Sequence, residues 1–152
     1  MKQKKVWIMC GIPGSGKSTY VQKEIEKNQG IHCSRDKVRF AMLADSDEYF
    51  AKEADVFAAW IREINQAIAT DGQDNIYVDA THLTEKSRKT VLNCLPQSKI
   101  EVGYIAFDVP LEVCLERNGK RVGRAKVPEE VIKNMYRSYQ IPQGDNVIIV
   151  KE

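Results

Sequence analysis

Residues 11–18 read Gly-Ile-Pro-Gly-Ser-Gly-Lys-Ser, directly behind the apolar run Val6-Trp7-Ile8-Met9-Cys10. That is the G-x-x-x-x-G-K-[ST] spacing of a phosphate-binding loop, and it demands a buried strand, a tight turn and a helix in that order. In such a loop Gly11, Gly14 and Gly16 leave room for backbone N–H groups to curl around phosphate oxygens, with Ser15 and Thr19 completing the turn and the helix start. Lys17 is expected to reach the terminal phosphates of ATP or another nucleoside triphosphate, and the Ser18 hydroxyl to hold Mg²⁺. The helix opening near Gly16 adds the positive end of its dipole.

A length of 152 residues fits one domain with a sizeable core, residues 1–152. Charged residues at 29% and hydrophobic ones at 43% fit a soluble globule and argue against a disordered or membrane protein. The start Met1-Lys2-Gln3-Lys4-Lys5 carries the charge of a signal peptide, but only five apolar residues separate it from Gly11. It reads as a polar lead-in to a buried strand. Cys10, Cys33, Cys94 and Cys114 are scattered without a C-x-x-C pair, and His32 and His82 stand far apart, so no zinc site is legible. Isolated cysteines of this kind read as small core residues in a reducing compartment, with the cytoplasm the default. Net charge is only +2, from 23 basic and 21 acidic residues, a weak global case for nucleic acid. Between Leu111 and Pro128, however, Arg117, Lys120, Arg121, Arg124 and Lys126 face only Glu112 and Glu116.

Short β-branched bursts recur at Val6–Cys10, Ile31–Cys33, Ile76–Ala80, Ile100–Phe107 and Val147–Val150. Between them lie segments of helical period. Ala54, Phe57, Ile61, Ile64 and Ile68 predict one apolar stripe on a helix from about Glu48 to Thr70, closed by Asp71-Gly72. Further helices are expected over 17–27, 36–43, 84–95, 110–118 and 128–139, with Pro110 and Pro128 in their first turns. The alternation predicts a three-layer α/β fold with a five-stranded parallel sheet covered on both faces. Ligands then sit at the carboxyl ends of the strands.

Behind the second burst, Arg35-Asp36-Lys37-Val38-Arg39 sets Asp36 and Arg39 on one helical face. A carboxylate there suits the base that takes the proton of an attacking hydroxyl, and Arg39, with Arg35 nearby, suits a grip on an acceptor phosphate. Behind the third burst stands Asp79-Ala80-Thr81-His82. Asp79 fits a carboxylate supporting Mg²⁺ and Thr81 a substrate contact, whereas a lone His82 reads as a hydrogen-bonded structural residue. The basic stretch with Gly119 and Gly123, about residues 117–127, reads as a lid whose arginines neutralise charge on a transferred phosphoryl group.

Taken together, Gly11–Thr19, Ser34-Arg-Asp36 through Arg39, Phe107-Asp-Val-Pro110, Arg117-Asn118, Val127-Pro128 and Asn134–Tyr139 resemble the kinase domain of phage-type polynucleotide 5′-hydroxyl kinase. The resemblance runs in order over about residues 6–139 and implies a P-loop kinase that phosphorylates the 5′-OH end of DNA or RNA. It implies that Lys17 and Ser18 bind the donor phosphates. Asp36 is then the general base, and Arg39 holds the phosphate on the 3′ side of the terminal nucleotide. Arg121 contacts the donor phosphates with Arg117 nearby. An extra lid residue before Val127 leaves Arg124 as well as Arg121 for the catalytic lid position. The family's phage form has its carboxylate where Ala80 stands, so the role of Asp79 is not carried over. No D-x-D-x-T motif is present, so the 3′-phosphatase domain that often accompanies this kinase is not expected. Phe40, Tyr49 and Phe50 are candidates for stacking an acceptor base, with two of the three expected in the core. A small-molecule kinase of the same fold and an ATP-binding regulatory module remain as other readings.

Overall fold

The computed structural model describes residues 3–152. Five strands, β1 (Lys4–Cys10), β2 (Ile31–Ser34), β3 (Asn75–Asp79), β4 (Ile100–Asp108) and β5 (Val147–Lys151), form one sheet in the order β2-β3-β1-β4-β5. Every pairing is parallel. This is the expected three-layer α/β architecture, and the physical reason is burial on both faces: Val6, Ile8, Met9 and Cys10 of central β1 are all inaccessible to solvent. The polar lead-in expected over Met1–Lys5 lies partly outside the described residues, and its last two lysines open β1.

Among the described residues six α-helices fill the crossovers: α1 (Lys17–Asn28), α2 (Arg35–Met42), α3 (Glu53–Ala69), α4 (Glu85–Leu92), α5 (Leu111–Gly119) and α6 (Glu129–Ser138). Trp60, Ile64 and Ile68 of α3 pack with Val91 of α4 on one face of the sheet. Val21 of α1, Cys114 of α5 and Ile132 of α6 fill the other. Among the described residues no helix is long and apolar enough to cross a membrane.

Three expectations need correction. The helix expected from Glu48 begins only at Glu53, because Tyr49 and Phe50 turn back onto α2 instead of continuing the helix. Its buried face is Val56, Trp60, Ile64, Ala67 and Ile68, while Ala54 is exposed. Trp60 decides that rotation: its large ring is fully buried, and its indole N–H donates to the Cys33 carbonyl at 2.9 Å. Pro110 and Pro128 each stand one residue before their helix, with extended ψ of 142° and 138°, and so cap it from outside.

Candidate active site

The phosphate loop is shaped by two glycines with positive φ. At Gly14 (φ +85°) a Cβ would stand 2.5 Å from the Cys114 carbonyl oxygen, so no larger residue fits. Gly16 (φ +97°) turns the chain into α1. Lys17 Nζ donates to the carbonyls of Gly11 (2.8 Å) and Ile12 (3.1 Å). Burial pulls its pKa down, against the pull of the Asp79 and Asp36 carboxylates. Ser15 is buried, with its hydroxyl unpartnered among the described residues, and Thr19 is exposed at the first turn of α1.

Parallel registry sets Asp79 between Met9 of β1 and Ser34 of β2, at the carboxyl edge of the sheet. The Ser18 hydroxyl donates to Asp79 Oδ2 at 3.1 Å, and His32 Nε2 approaches the same oxygen at 2.8 Å. Burial alone would raise the pKa of this carboxyl. The hydrogen bond from His32, the Lys17 charge and the Ser18 hydroxyl outweigh it and hold Asp79 below the usual carboxylate range. An ionised carboxylate beside a hydroxyl next to the phosphate loop is the hard-oxygen environment that suits Mg²⁺ shared with nucleotide phosphates. Ser18 and Asp79 therefore fit the metal, with His32 orienting the carboxylate; nothing in the spacing of the sequence linked His32 to Asp79.

Strand β2 runs into α2 without a loop, and Ser34 caps the helix by accepting from Lys37 N–H at 3.2 Å. Asp36 and Arg39 meet, as their spacing implies: Asp36 Oδ1 accepts from both the Arg39 guanidinium and the Tyr49 hydroxyl. Arg39 is only 4% exposed. Glu53 Oε1 takes its Nε and Nη2 at 2.9 and 2.7 Å, and Glu53 Oε2 takes Arg35 at 3.0 Å. Glu53 thus ties two arginines of α2 to the start of α3, a role no sequence spacing announced. The Tyr49 ring covers the guanidinium of Arg39 at 4.2 Å and Phe50 flanks it at 5.8 Å. None of Phe40, Tyr49 and Phe50 is a core residue, contrary to expectation; Phe50 is 53% exposed. Tyr49 and Phe50 enclose the Arg39 cation instead, and Phe40 lies under the Arg124 guanidinium. Burial and Asp36 raise the Tyr49 pKa, so the phenol stays protonated and able to donate.

The basic segment splits into a helical part and a loop. Arg117 and Asn118 belong to α5, and Arg117 donates to the Gly14 carbonyl at 3.2 Å while pairing with Glu152. Residues 120–126 form an exposed loop with one short turn. Its base is closed by the buried Asn118 amide, which exchanges two hydrogen bonds with the Val127 backbone at 2.6 and 2.9 Å. The two arginines of this loop part company: Arg124 donates to the Ala44 carbonyl at 3.1 Å and lies over Phe40, whereas Arg121 faces the phosphate loop side.

A cavity of about 570 Å³ is bordered by Lys17, Ser18, Asp36, Arg39, Asp79 and Thr81. A second, of about 540 Å³, is bordered by Gly14, Gly16, Thr19, Arg117 and Lys23. Arg121 borders both. His82 is buried beneath the larger one, where burial pushes its pKa down to about 4. Among the cysteines, Cys10, Cys33 and Cys114 are buried as expected, and burial pushes the first two thiols up to about 11 and about 12; Cys94 is exposed in the turn after α4.

Phosphate loop, parallel sheet and strand order define a P-loop fold of the kinase type. Residues 6–142 match the family described as AAA domain, and the chain belongs to that family. It is 30% identical over 142 residues to the L-seryl-tRNA(Sec) kinase of Methanococcus maripaludis, which covers 89% of this chain and 52% of that protein. It is 27% identical over 163 residues to a protein of Autographa californica nuclear polyhedrosis virus described as a bifunctional polynucleotide kinase/RNA ligase, covering 93% of this chain and 23% of the other. The chain therefore spans about half, or less, of these relatives' own length. Among solved structures, a chain of the Pnkp1/Rnl/Hen1 RNA repair complex superposes with a TM-score of 0.73 at 21% identity, over 91% of this chain and 44% of that one. A gluconokinase from Sinorhizobium meliloti 1021 superposes with a TM-score of 0.66 at 16% identity, over 99% and 84%. At these identities the structural likeness speaks for the fold.

Proposed function

We propose that this chain transfers the γ-phosphate of ATP to the 5′-hydroxyl end of DNA or RNA. One observation carries the reading: a carboxylate (Asp36) and a buried arginine (Arg39) border the same cavity as the phosphate-loop Lys17 and Ser18. A nucleotide acceptor needs that combination, a base at its hydroxyl and a cation at its own phosphate. The polynucleotide kinase described for the viral relative supports it further.

The acceptor oxygen attacks the γ-phosphorus in line, the bond to the bridging β-oxygen breaks, and the hydroxyl proton passes to Asp36. Lys17 and Arg121 offset the charge spread over the γ-oxygens, and Arg117 steadies the loop from the donor side. Mg²⁺, held between Ser18 and Asp79 with the donor phosphates, would add charge neutralisation there. Arg39 and Arg35, steadied by Glu53, orient the acceptor, and Thr81 borders its path.

A second reading follows from the 30% identity to the seryl-tRNA kinase: the acceptor hydroxyl is that of an amino acid carried on RNA. Incubation with γ-labelled ATP separates the two. Oligonucleotides bearing 5′-OH ends are expected to take up label, and Asp36→Ala to lower the rate by about 10²–10⁴-fold, the usual worth of a general base. Undiminished transfer by the variant rules out the base assignment. Labelling of seryl-tRNA with oligonucleotides inert would favour the second reading.

A further inference from the structure

We propose that His82 and Arg35 together read a hydroxyl of the acceptor, the 2′-hydroxyl of a ribose, so that an RNA 5′ end is preferred to a DNA end. This rests on the polynucleotide reading above.

His82 is 4% exposed and holds a left-handed backbone, φ 42°. Its Nδ1 meets the Met9 carbonyl, which can only accept, so Nδ1 carries the proton. Burial keeps the ring neutral, which leaves Nε2 a bare lone pair. That lone pair has no partner among the described residues. Arg35 supplies the complement: its Nη2 is committed to Glu53, while its Nε–H is buried and also without a partner. Both side chains border the larger cavity and both pack against Trp60, the His82 ring with its centroid at 5.7 Å and the Arg35 Cζ at 5.5 Å.

A buried acceptor and a buried donor left open beside one indole ring are an uncompensated desolvation cost that a suitable group would remove. That group must accept from Nε–H and donate to Nε2. An ionised phosphate cannot donate and an ammonium cannot accept, so the smallest group that does both is a hydroxyl. Arg35 lies one helical turn before Arg39 on α2, and both bind Glu53. With an acceptor's 3′-phosphate at Arg39, the hydroxyl on the adjacent sugar carbon is the 2′-OH. Both open atoms are shielded from solvent, so entry requires Arg35, whose side chain is 26% exposed, to tilt off Trp60 and Phe57. A deoxyribose end leaves both atoms unpaired, the situation in which polar sites discriminate most strongly. An ordered water would supply the same chemistry, and the test separates the two sources.

The assay compares a 5′-OH oligoribonucleotide with the same oligonucleotide carrying one 2′-deoxy sugar at its 5′ end. The native chain is expected to favour the ribose end in kcat/KM by about tenfold or more, the worth of one buried hydrogen bond. His82→Asn places an amide N–H where Nδ1–H stands, tolerates the left-handed backbone, and removes Nε2. Arg35→Lys keeps the charge near Glu53 and removes Nε–H. Both variants are expected to bring the ratio to within about twofold of one, a change in discrimination rather than in rate alone. Equal use of the two oligonucleotides by the native chain overturns the inference and leaves the kinase reading standing. A ratio preserved in both variants overturns it too, and does so in favour of a bound water if melting temperatures fall. Failure to label either oligonucleotide overturns the inference together with the polynucleotide reading.

Discussion

Asp79 and His82 stand three residues apart at the end of β3, and their surroundings hold them in opposite states. Asp79 has a hydrogen bond from His32, the Lys17 ammonium and the Ser18 hydroxyl to offset its burial, and it stays charged. Burial dominates at His82 and keeps it neutral, with a pKa pushed from 6.5 down to about 4. The sign of the resulting pH dependence follows from proton counting. Above pH 6.5 neither folded nor unfolded His82 binds a proton, so the full stability is present. Below it the unfolded ring protonates while the folded one does not, and stability falls until the folded ring also titrates near pH 4. The total is about 3 kcal/mol for a shift of this size. Urea midpoints measured from pH 7 to pH 4 should therefore drop more for the native chain than for His82→Asn, and parallel profiles would contradict the assignment. At this scale the sequence was informative where one residue type has one role. Lys17 and Ser18 need no partner to be recognised. Glu53 and His32 act only through residues distant in the chain, and periodicity carries no trace of such pairs.

The loop over residues 120–126 depends on one buried side chain. Asn118 closes its base with an amide that both donates to and accepts from Val127. Asn118→Ala leaves two buried backbone groups unpaired, and the expected cost is about 2 kcal/mol. The same substitution should release the loop. Lys120, Arg121, Arg124 and Lys126 are all trypsin sites, so cleavage between 120 and 126 is expected to quicken more than the loss of global stability alone explains. Unchanged cleavage with lowered stability would mean that the loop is held elsewhere. The elements themselves were largely readable: the five β-branched bursts mark all five strands to within about two residues, because a parallel sheet buried on both faces needs continuous apolar runs. The α2–α3 connection was not readable. Tyr49 and Phe50 look like the first turn of a helix, yet their rings gain more by enclosing the buried Arg39 cation than by extending α3.

The two cavities described above flank the phosphate loop, one beside α1 and α5, the other over the carboxyl ends of β2 and β3. On the proposed function the phosphate loop would account for the donor side alone and Asp36, Arg39 and Glu53 for the acceptor side; strand order brings the two sets of residues to one cavity because β3 lies between β1 and β2. Arg121 borders both cavities, on an exposed loop whose ordering has an entropic cost. If the first ligand to bind fixes that loop, the second meets it already ordered, and the two bind with positive coupling. Arg124, held by the Ala44 carbonyl and the face of Phe40, should not carry this effect. Calorimetry with a non-hydrolysable ATP analogue and a 3′-phosphorylated nucleoside measures it directly. Each ligand is expected to tighten the other by about tenfold, and by the same factor in either order, since coupling is reciprocal. Arg121→Ala should bring that factor close to one, while Arg124→Ala keeps it. The reverse pattern would move the bridging role to Arg124, and no coupling in the native chain would show that the two cavities work independently.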